Sequence, residues 1–303
     1  MKKFYLDILI VISASLLTVF AFALVLDYYG WSDYGYKRFT SAGSKSMILG
    51  TSRAAQSIQP SILNKEFEDS DFEIPFYNFS FTRSESPYGE VYFKAIKKKL
   101  DRNTTNALFI LSVDPWSLSE TNEVPNGLLI EQGTALDKIW LYTKPNLQYL
   151  IYFAPKPIVF ETNMQLHDDG WLEVTVPMDS ASVTERIKSK MQEYTDVILK
   201  RSENRIQWLV KTIEFLKRHG TVVLCRIPAH PFFISQEDLS WPSFDDEMKS
   251  LSRKNGVNYI SFMNRIDDYK TVDGNHLYKK DGLRFTKDLS DSIKVRLNSK
   301  FKN

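Results

Sequence analysis

Residues 46–60 read SMILGTSRAAQSIQP. A short apolar run stops at Gly50, the triplet Thr51-Ser52-Arg53 follows at once, and the chain then takes on a helical pattern. A strand that is apolar throughout, without alternation, belongs in a sheet covered on both faces. A plain turn at its end needs only residues such as Asn, Asp or Gly. A hydroxyl and a guanidinium there raise the question of chemistry, and the answer depends on what partners the rest of the chain brings to Ser52.

Working outward, four more apolar runs resemble the first. They are EIPFYNFS (73–80), NALFILSV (106–113), GTVVLCRI (220–227) and GVNYISF (256–262), joining KSMILG at 45–50. The segments between the first three are helix-like. In SPYGEVYFKAIKKKL, Val91, Phe93, Ile96 and Leu100 can share a broad apolar face. Residues 182–220 read as one long helix or two joined ones, stopped at His219-Gly220. Strands alternating with helices imply βαβ units, a parallel sheet and right-handed crossovers. Residues 118–182 break this rhythm and are expected to form an insertion over the open end of the sheet. KPIVFETN and GWLEVTV predict a hairpin there, with MQLHDDG as its connection. The aromatics Trp140, Tyr142, Tyr149, Tyr152 and Phe153 are expected to pack as core.

Composition narrows the class. The chain has 303 residues, 43% hydrophobic and 25% charged, with a net charge of +2. That is globular, and it gives no case for a nucleic-acid partner. The run Lys97-Lys98-Lys99 is expected to be the solvated end of a helix. Cys225 is the one cysteine, so no internal disulfide forms, and it sits in an apolar strand as core. With four histidines and no zinc spacing, neither a metal site nor a cofactor is expected.

The N-terminus reads MKK followed by FYLDILIVISASLLTVFAFALVL. About 20 apolar residues cross a hydrocarbon core of ~30 Å. Lys2 and Lys3 put the N-terminus inside, and DYYGW resembles an interfacial aromatic belt. Ala21-Phe22-Ala23 resembles a cleavage site, but the apolar run continues past it, so a retained anchor is expected. The expected organisation is an anchor at 1–26, a juxtamembrane spacer at 27–43 and an α/β domain at 44–303.

In an open α/β sheet, ligands bind at the carboxyl ends of the strands. The five runs lead to Thr51-Ser52-Arg53, to Asn78-Phe79-Ser80 with Thr82-Arg83, to Asp114-Pro115-Trp116, to Arg226 with His230, and to Asp273-Gly274-Asn275-His276. Each signal has an ordinary alternative. Asp114-Pro115 can start a helix, with Asp as N-cap and Pro at N1. Arg226 can be a solvated strand end. The joint placement is the informative part: a hydroxyl at the first strand end and an Asp/His pair at the last.

This arrangement resembles the SGNH (GDSL-like) hydrolases. It is most similar to the membrane-anchored, extracytoplasmic branch related to the D-alanyl transfer protein DltD and to bacterial polysaccharide O-acetylation proteins. LGTSR is similar to the nucleophile block, and DGNHL to the terminal Asp-x-x-His block. YNFS falls where the family has its glycine block, with Ser80 in place of Gly. VDPW falls where it has its Asn block, with Asp114 in place of Asn. The resemblance spans about 44–290 outside the insertion. It implies a flavodoxin-like three-layer α/β/α fold, with Ser52 as nucleophile and Asp273 and His276 completing a triad.

In that chemistry, His276 removes the Ser52 proton while Asp273 holds the imidazole tautomer. The backbone N–H of Ser52 is a first oxyanion donor, and the backbone N–H of Ser80 and the amide of Asn78 are candidates for others. An ionised Asp114 cannot donate. It is protonated, paired with Arg53, Arg83 or Arg226, or turned away as a helix cap. The three arginines can also bind an anionic substrate group. The resemblance implies O-acyl transfer, acetyl for example, to a cell-surface glycan, with a multi-pass membrane acyltransferase as partner. The protein would sit in a bacterial inner membrane with its domain in the periplasm or other extracytoplasmic space. The alternatives are a carbohydrate acylesterase and an inactive scaffold for the acyltransferase.

Overall fold

The computed structural model describes residues 1–29, 35–82, 84, 86–121, 134–153, 163–195 and 197–298. A helix, α1 (Lys2–Tyr29), opens the chain, and a short α2 (Tyr36–Thr40) leads into β1 (Ser46–Leu49). Next come α3 (Ser52–Ser57), α4 (Pro60–Glu66), β2 (Phe76–Asn78), α5 (Glu90–Lys99) and β3 (Ala107–Ser112). After a 3-10 turn at Pro115–Leu118 the chain forms β4 (Ser119–Thr121), α6 (Ala135–Lys138), α7 (Leu147–Phe153), β5 (Met164–Leu166) and β6 (Leu172–Val174). It returns through α8 (Ser180–Tyr194), β7 (Leu199–Arg201) and α9 (Glu203–Leu216) to β8 (Gly220–Arg226). Helices α10 (Pro231–Ser240) and α11 (Phe244–Asn255), strand β9 (Asn258–Ser261) and α12 (Lys279–Asn298) follow.

The five apolar runs are the five strands of one sheet, ordered β2-β1-β3-β8-β9, with every neighbour parallel. Numbered within the sheet, the order is 2-1-3-4-5, which is that of doubly wound flavodoxin-like sheets. Side chains alternate between two apolar layers. Met47, Leu49, Phe109 and Leu111 pack with Tyr92 and Ile96 of α5 and Leu209 and Ile213 of α9. Ile48, Leu108 and Ile110 pack with Ala54 of α3, Leu63 of α4 and Phe285 and Leu289 of α12. Both faces are covered, which is why these strands read as continuous apolar runs. Cys225 lies fully buried in the second layer.

Helix α1 is, among the described residues, the one long and apolar enough to cross a membrane, with a mean hydropathy of 2.8 over Lys2–Val25. The spacer expected at 27–43 is part of the domain from Tyr36 onward. Tyr36 and Phe39 are buried, and their rings lie 5.3 and 4.9 Å from that of Tyr149 on α7.

Four further expectations are corrected. Residues 182–220 form two helices, α8 and α9, separated by β7, which pairs antiparallel with β4. Ser202 ends that interruption by accepting from the Arg205 N–H as the N-cap of α9. The hairpin forms later than expected. Its first strand is Met164–Leu166, inside the predicted connection, while 154–162 lie outside the described residues. The turn between its strands, His167 to Trp171, retains only part of that predicted loop. Of the insertion aromatics, Tyr149 is core while Trp140 is exposed.

Lys99 is the fourth correction. Lys97 and Lys98 are exposed, but Lys99 is fully buried. It follows Tyr92 by seven residues, so two helical turns bring it onto the same inward face. Its ammonium donates to Ser41 Oγ (2.8 Å) and the Ala42 carbonyl (2.5 Å) and lies 3.9 Å from the Tyr77 ring centre. Among the described residues no carboxylate pairs with it, and burial pushes its pKa down to about 7.

Candidate active site

The turn after β1 is built around Gly50. Its φ of +147° suits glycine, and a Cβ there would stand 2.8 Å from the Ser112 Cβ on β3. The Gly50 N–H donates to Tyr92 Oη (3.0 Å), and its carbonyl accepts from Ser86 Oγ (2.7 Å). This tight exit starts α3 directly at Ser52, half-buried at the carboxyl edge of the sheet. The position adjoins the β1/β3 boundary, where the strand order reverses. The Ser52 N–H sits in the first helical turn, whose donors lack intrahelical partners, and the Thr51 side chain does not cap it.

Asp273 and His276 lie on a narrow loop between β9 and α12. The loop is closed by backbone bonds from the Val272 N–H to the His276 carbonyl (2.8 Å) and from the Tyr278 N–H to the Lys270 carbonyl (2.9 Å). Gly274 turns its tip with a φ of +86°, and a Cβ there would meet Phe233 at 2.5 Å. Across the loop, the His230 N–H holds the Gly274 carbonyl at 2.7 Å.

The structure brings the three residues into one hydrogen-bonded series. His276 Nε2 lies 2.9 Å from Ser52 Oγ, and His276 Nδ1 lies 2.8 Å from Asp273 Oδ2. Asp273 Oδ1 also accepts from the backbone N–H groups of Asn275 and His276, both at 2.9 Å. Burial pushes the Asp273 carboxyl up, but the His276 imidazole and these backbone donors outweigh it and hold the carboxyl well below the usual carboxylate range. An ionised Asp273 fixes the proton on Nδ1 and leaves the Nε2 lone pair facing the serine hydroxyl.

Beneath this series runs a buried network of charges. Arg53 donates through Nε (2.9 Å) and Nη2 (2.6 Å) to Asn275 Oδ1. Its Nη1 pairs with Glu237 Oε1 of α10 at 2.6 Å and approaches Asp114 Oδ2 at 3.9 Å. The other Glu237 oxygen accepts from Arg226 Nη2 (2.8 Å), and Arg226 also pairs with Asp245 of α11. Arg53 and Arg226 are thus buried and paired with protein carboxylates. Arg83 lies outside the described residues.

Asp114 caps the turn at Pro115–Leu118, accepting from the Ser117 N–H at 2.7 Å. Burial raises its carboxyl, while Arg53 works in the opposite direction. Cap and arginine neighbour are both present. The Asn78 amide is taken. Its Nδ2 donates to the Ala54 and Ile58 carbonyls, both at 2.9 Å, and its Oδ1 accepts from the Ser80 N–H at 3.2 Å. Asn78 therefore ties β2 to α3, and neither it nor the Ser80 N–H is a free oxyanion donor.

Two residues were not singled out from the sequence. Asn275 stands inside the Asp-x-x-His segment as an unassigned position. Glu237 follows Phe233 by four residues on the buried face of α10, and an acid at an apolar-periodic position was the available signal. Among the described residues, no cluster of three His, Cys, Asp or Glu is placed to hold a metal. No protein-family model and no curated protein matches this chain, so the site is read from its own geometry.

Proposed function

We propose that this chain is a membrane-anchored, extracytoplasmic serine acyl-ester enzyme of the SGNH type that transfers an O-acyl group to a cell-surface polysaccharide. The observation that carries the reading is the series Ser52 Oγ, His276 Nε2, His276 Nδ1, Asp273 Oδ2, with contacts of 2.9 and 2.8 Å. Its place at the carboxyl edge of a parallel sheet supports it.

In the first half-reaction, Ser52 Oγ attacks the acyl carbonyl carbon as its proton passes to His276 Nε2. The carbonyl oxygen becomes an oxyanion facing the Ser52 N–H. The intermediate collapses when the donor's C–O bond breaks and its oxygen takes the Nε2 proton. In the second half, a glycan hydroxyl gives its proton to Nε2 and attacks the acyl-serine. Ser52 then leaves with that proton, and the site is restored. The tether confines the domain to the membrane surface, which raises its effective concentration near a multi-pass membrane protein that delivers the acyl group.

The engaged Asn78 amide and Ser80 N–H favour one second reading, an inactive scaffold for that membrane protein. Losing an oxyanion donor typically costs about 3 kcal/mol. Deleting the gene and measuring glycan ester content separates the readings. Transfer predicts loss of O-acyl groups, restored by wild type and not by Ser52→Ala. A gain on deletion marks a carbohydrate acylesterase. Rescue by Ser52→Ala marks the scaffold.

A further inference from the structure

We propose that Asn275 is a substrate-contacting donor, resting on the acyl-ester reading above, and that its Nδ2 serves the oxygen that leaves or attacks beside His276. The guanidinium of Arg53 has donors only, and two of them point at one Asn275 side-chain atom, at 2.9 and 2.6 Å. That atom must be the oxygen. The amide nitrogen is thereby turned the other way, and it lies 3.5 Å from His276 Nε2. This distance is too long for a strong hydrogen bond. The same Nε2 meets Ser52 Oγ at 2.9 Å. A buried amide donor is therefore held at the junction of nucleophile and base, with little use for its protons in the resting site.

Holding the imidazole is not its task, because Asp273 already grips both the ring and the backbone of His276. Any oxygen that exchanges a proton with Nε2 must come within about 3 Å of it. In acylation that oxygen is the departing alkoxide of the donor ester, and in transfer it is the attacking hydroxyl of the acceptor. Either one, arriving on the Asn275 side of the ring, then comes within reach of Nδ2, which stands 3.5 Å from Nε2. The carbonyl oxyanion forms toward the Ser52 N–H, so the two donors serve different oxygens. Arg53 acts through Asn275 and is a positioning residue, itself held by Glu237. The substrate class that benefits is a sugar ester or sugar hydroxyl, whose alkoxide is a poor leaving group. A phenolate leaves without such help.

The test uses the full chain in detergent micelles with two probes, p-nitrophenyl acetate and a monosaccharide O-acetate. Asn275→Ala removes the amide, and Asn275→Asp keeps an oxygen for Arg53 while removing the donor. Thermal melts confirm that at least one of the two variants is folded. Both variants are expected to lose at least tenfold more in kcat/KM on the sugar ester than on the phenyl ester. An equal loss on both esters, or no loss on either, with wild type active, overturns the role of Asn275 and leaves the acyl-ester reading standing. Wild type with no Ser52-dependent turnover of either ester overturns that reading, and Asn275 with it.

Discussion

Arg53 and Glu237 face each other at 2.6 Å below the Ser52 turn, and both are buried. Glu237 simultaneously holds Arg226 at 2.8 Å, so one carboxylate serves two buried cations. Removing one member of a buried pair costs about 3–5 kcal/mol because the partner charge is left uncompensated. Glu237→Gln is therefore expected to destabilise the domain by at least that amount in denaturant titration. Asp114→Ala is expected to cost about 1 kcal/mol, the scale of a lost helix cap, since Arg53 keeps Glu237. Equal losses would contradict this hierarchy.

The triad geometry predicts a reactivity pattern. A fluorophosphonate probe should label wild type at Ser52, and Ser52→Ala should not be labelled. His276→Ala should lose labelling while its melting curve stays cooperative. Asp273→Asn should cut the rate by about 10³–10⁴, since the wrong imidazole tautomer then faces the serine. Labelling that survives in Ser52→Ala, read by peptide mass spectrometry, would place the nucleophile elsewhere.

Lys99 predicts a pH dependence of stability. The unfolded chain keeps the lysine proton up to its ordinary value of 10.5, whereas the fold releases it near 7. Between those values the unfolded state binds more protons, so stability rises with pH across that window. The slope is at most about 1.4 kcal/mol per pH unit. Lys99→Met lacks this rise. Wild-type stability relative to Lys99→Met should therefore increase by at least about 2 kcal/mol between pH of about 6.5 and about 10. A constant difference in urea titrations across that range would show that the ammonium is not held down.

Gly50→Ala is expected to cost about 1–3 kcal/mol, because the new Cβ must displace Ser112 or the backbone must leave its positive φ. The strain falls on the residue two before Ser52, so probe labelling should slow even in protein that remains folded. Unchanged labelling kinetics would mean that the turn does not set the serine position.

The extent of sequence legibility follows from what each residue answers to. All five strands were readable because a parallel strand covered on both faces must be apolar at every position, a local and composition-level constraint. That Ser52, Asp273 and His276 meet at one edge was readable because parallel strands send their following loops to one edge, while their roles are what the resemblance implies. The partners of buried polar groups were less legible, since tertiary packing decides them. Three lysines in a row look alike, yet only Lys99 continues the Tyr92, Ala95, Ile96 face. Glu237 is hidden in the same way behind Phe233. Asn78 has the right chemistry for an oxyanion donor, but α3 needed its amide first. The hairpin moved because Met164-Gln165-Leu166 alternates as well as its neighbours do, and a three-residue strand leaves little pattern to place.

The loop that carries both Asp273 and His276 also has a consequence in time. The imidazole and its carboxylate are three residues apart, whereas the hydroxyl they meet lies 224 residues earlier in the chain. At ribosomal speeds of about 5–20 residues per second, Ser52 is made roughly 10–45 seconds before His276. Throughout that interval His276 is not yet there to take the serine proton. On the proposed acyl-ester reading, Ser52 is thus quiet while the chain is being made, and the series that would activate it assembles only when the last crossover of the sheet is complete.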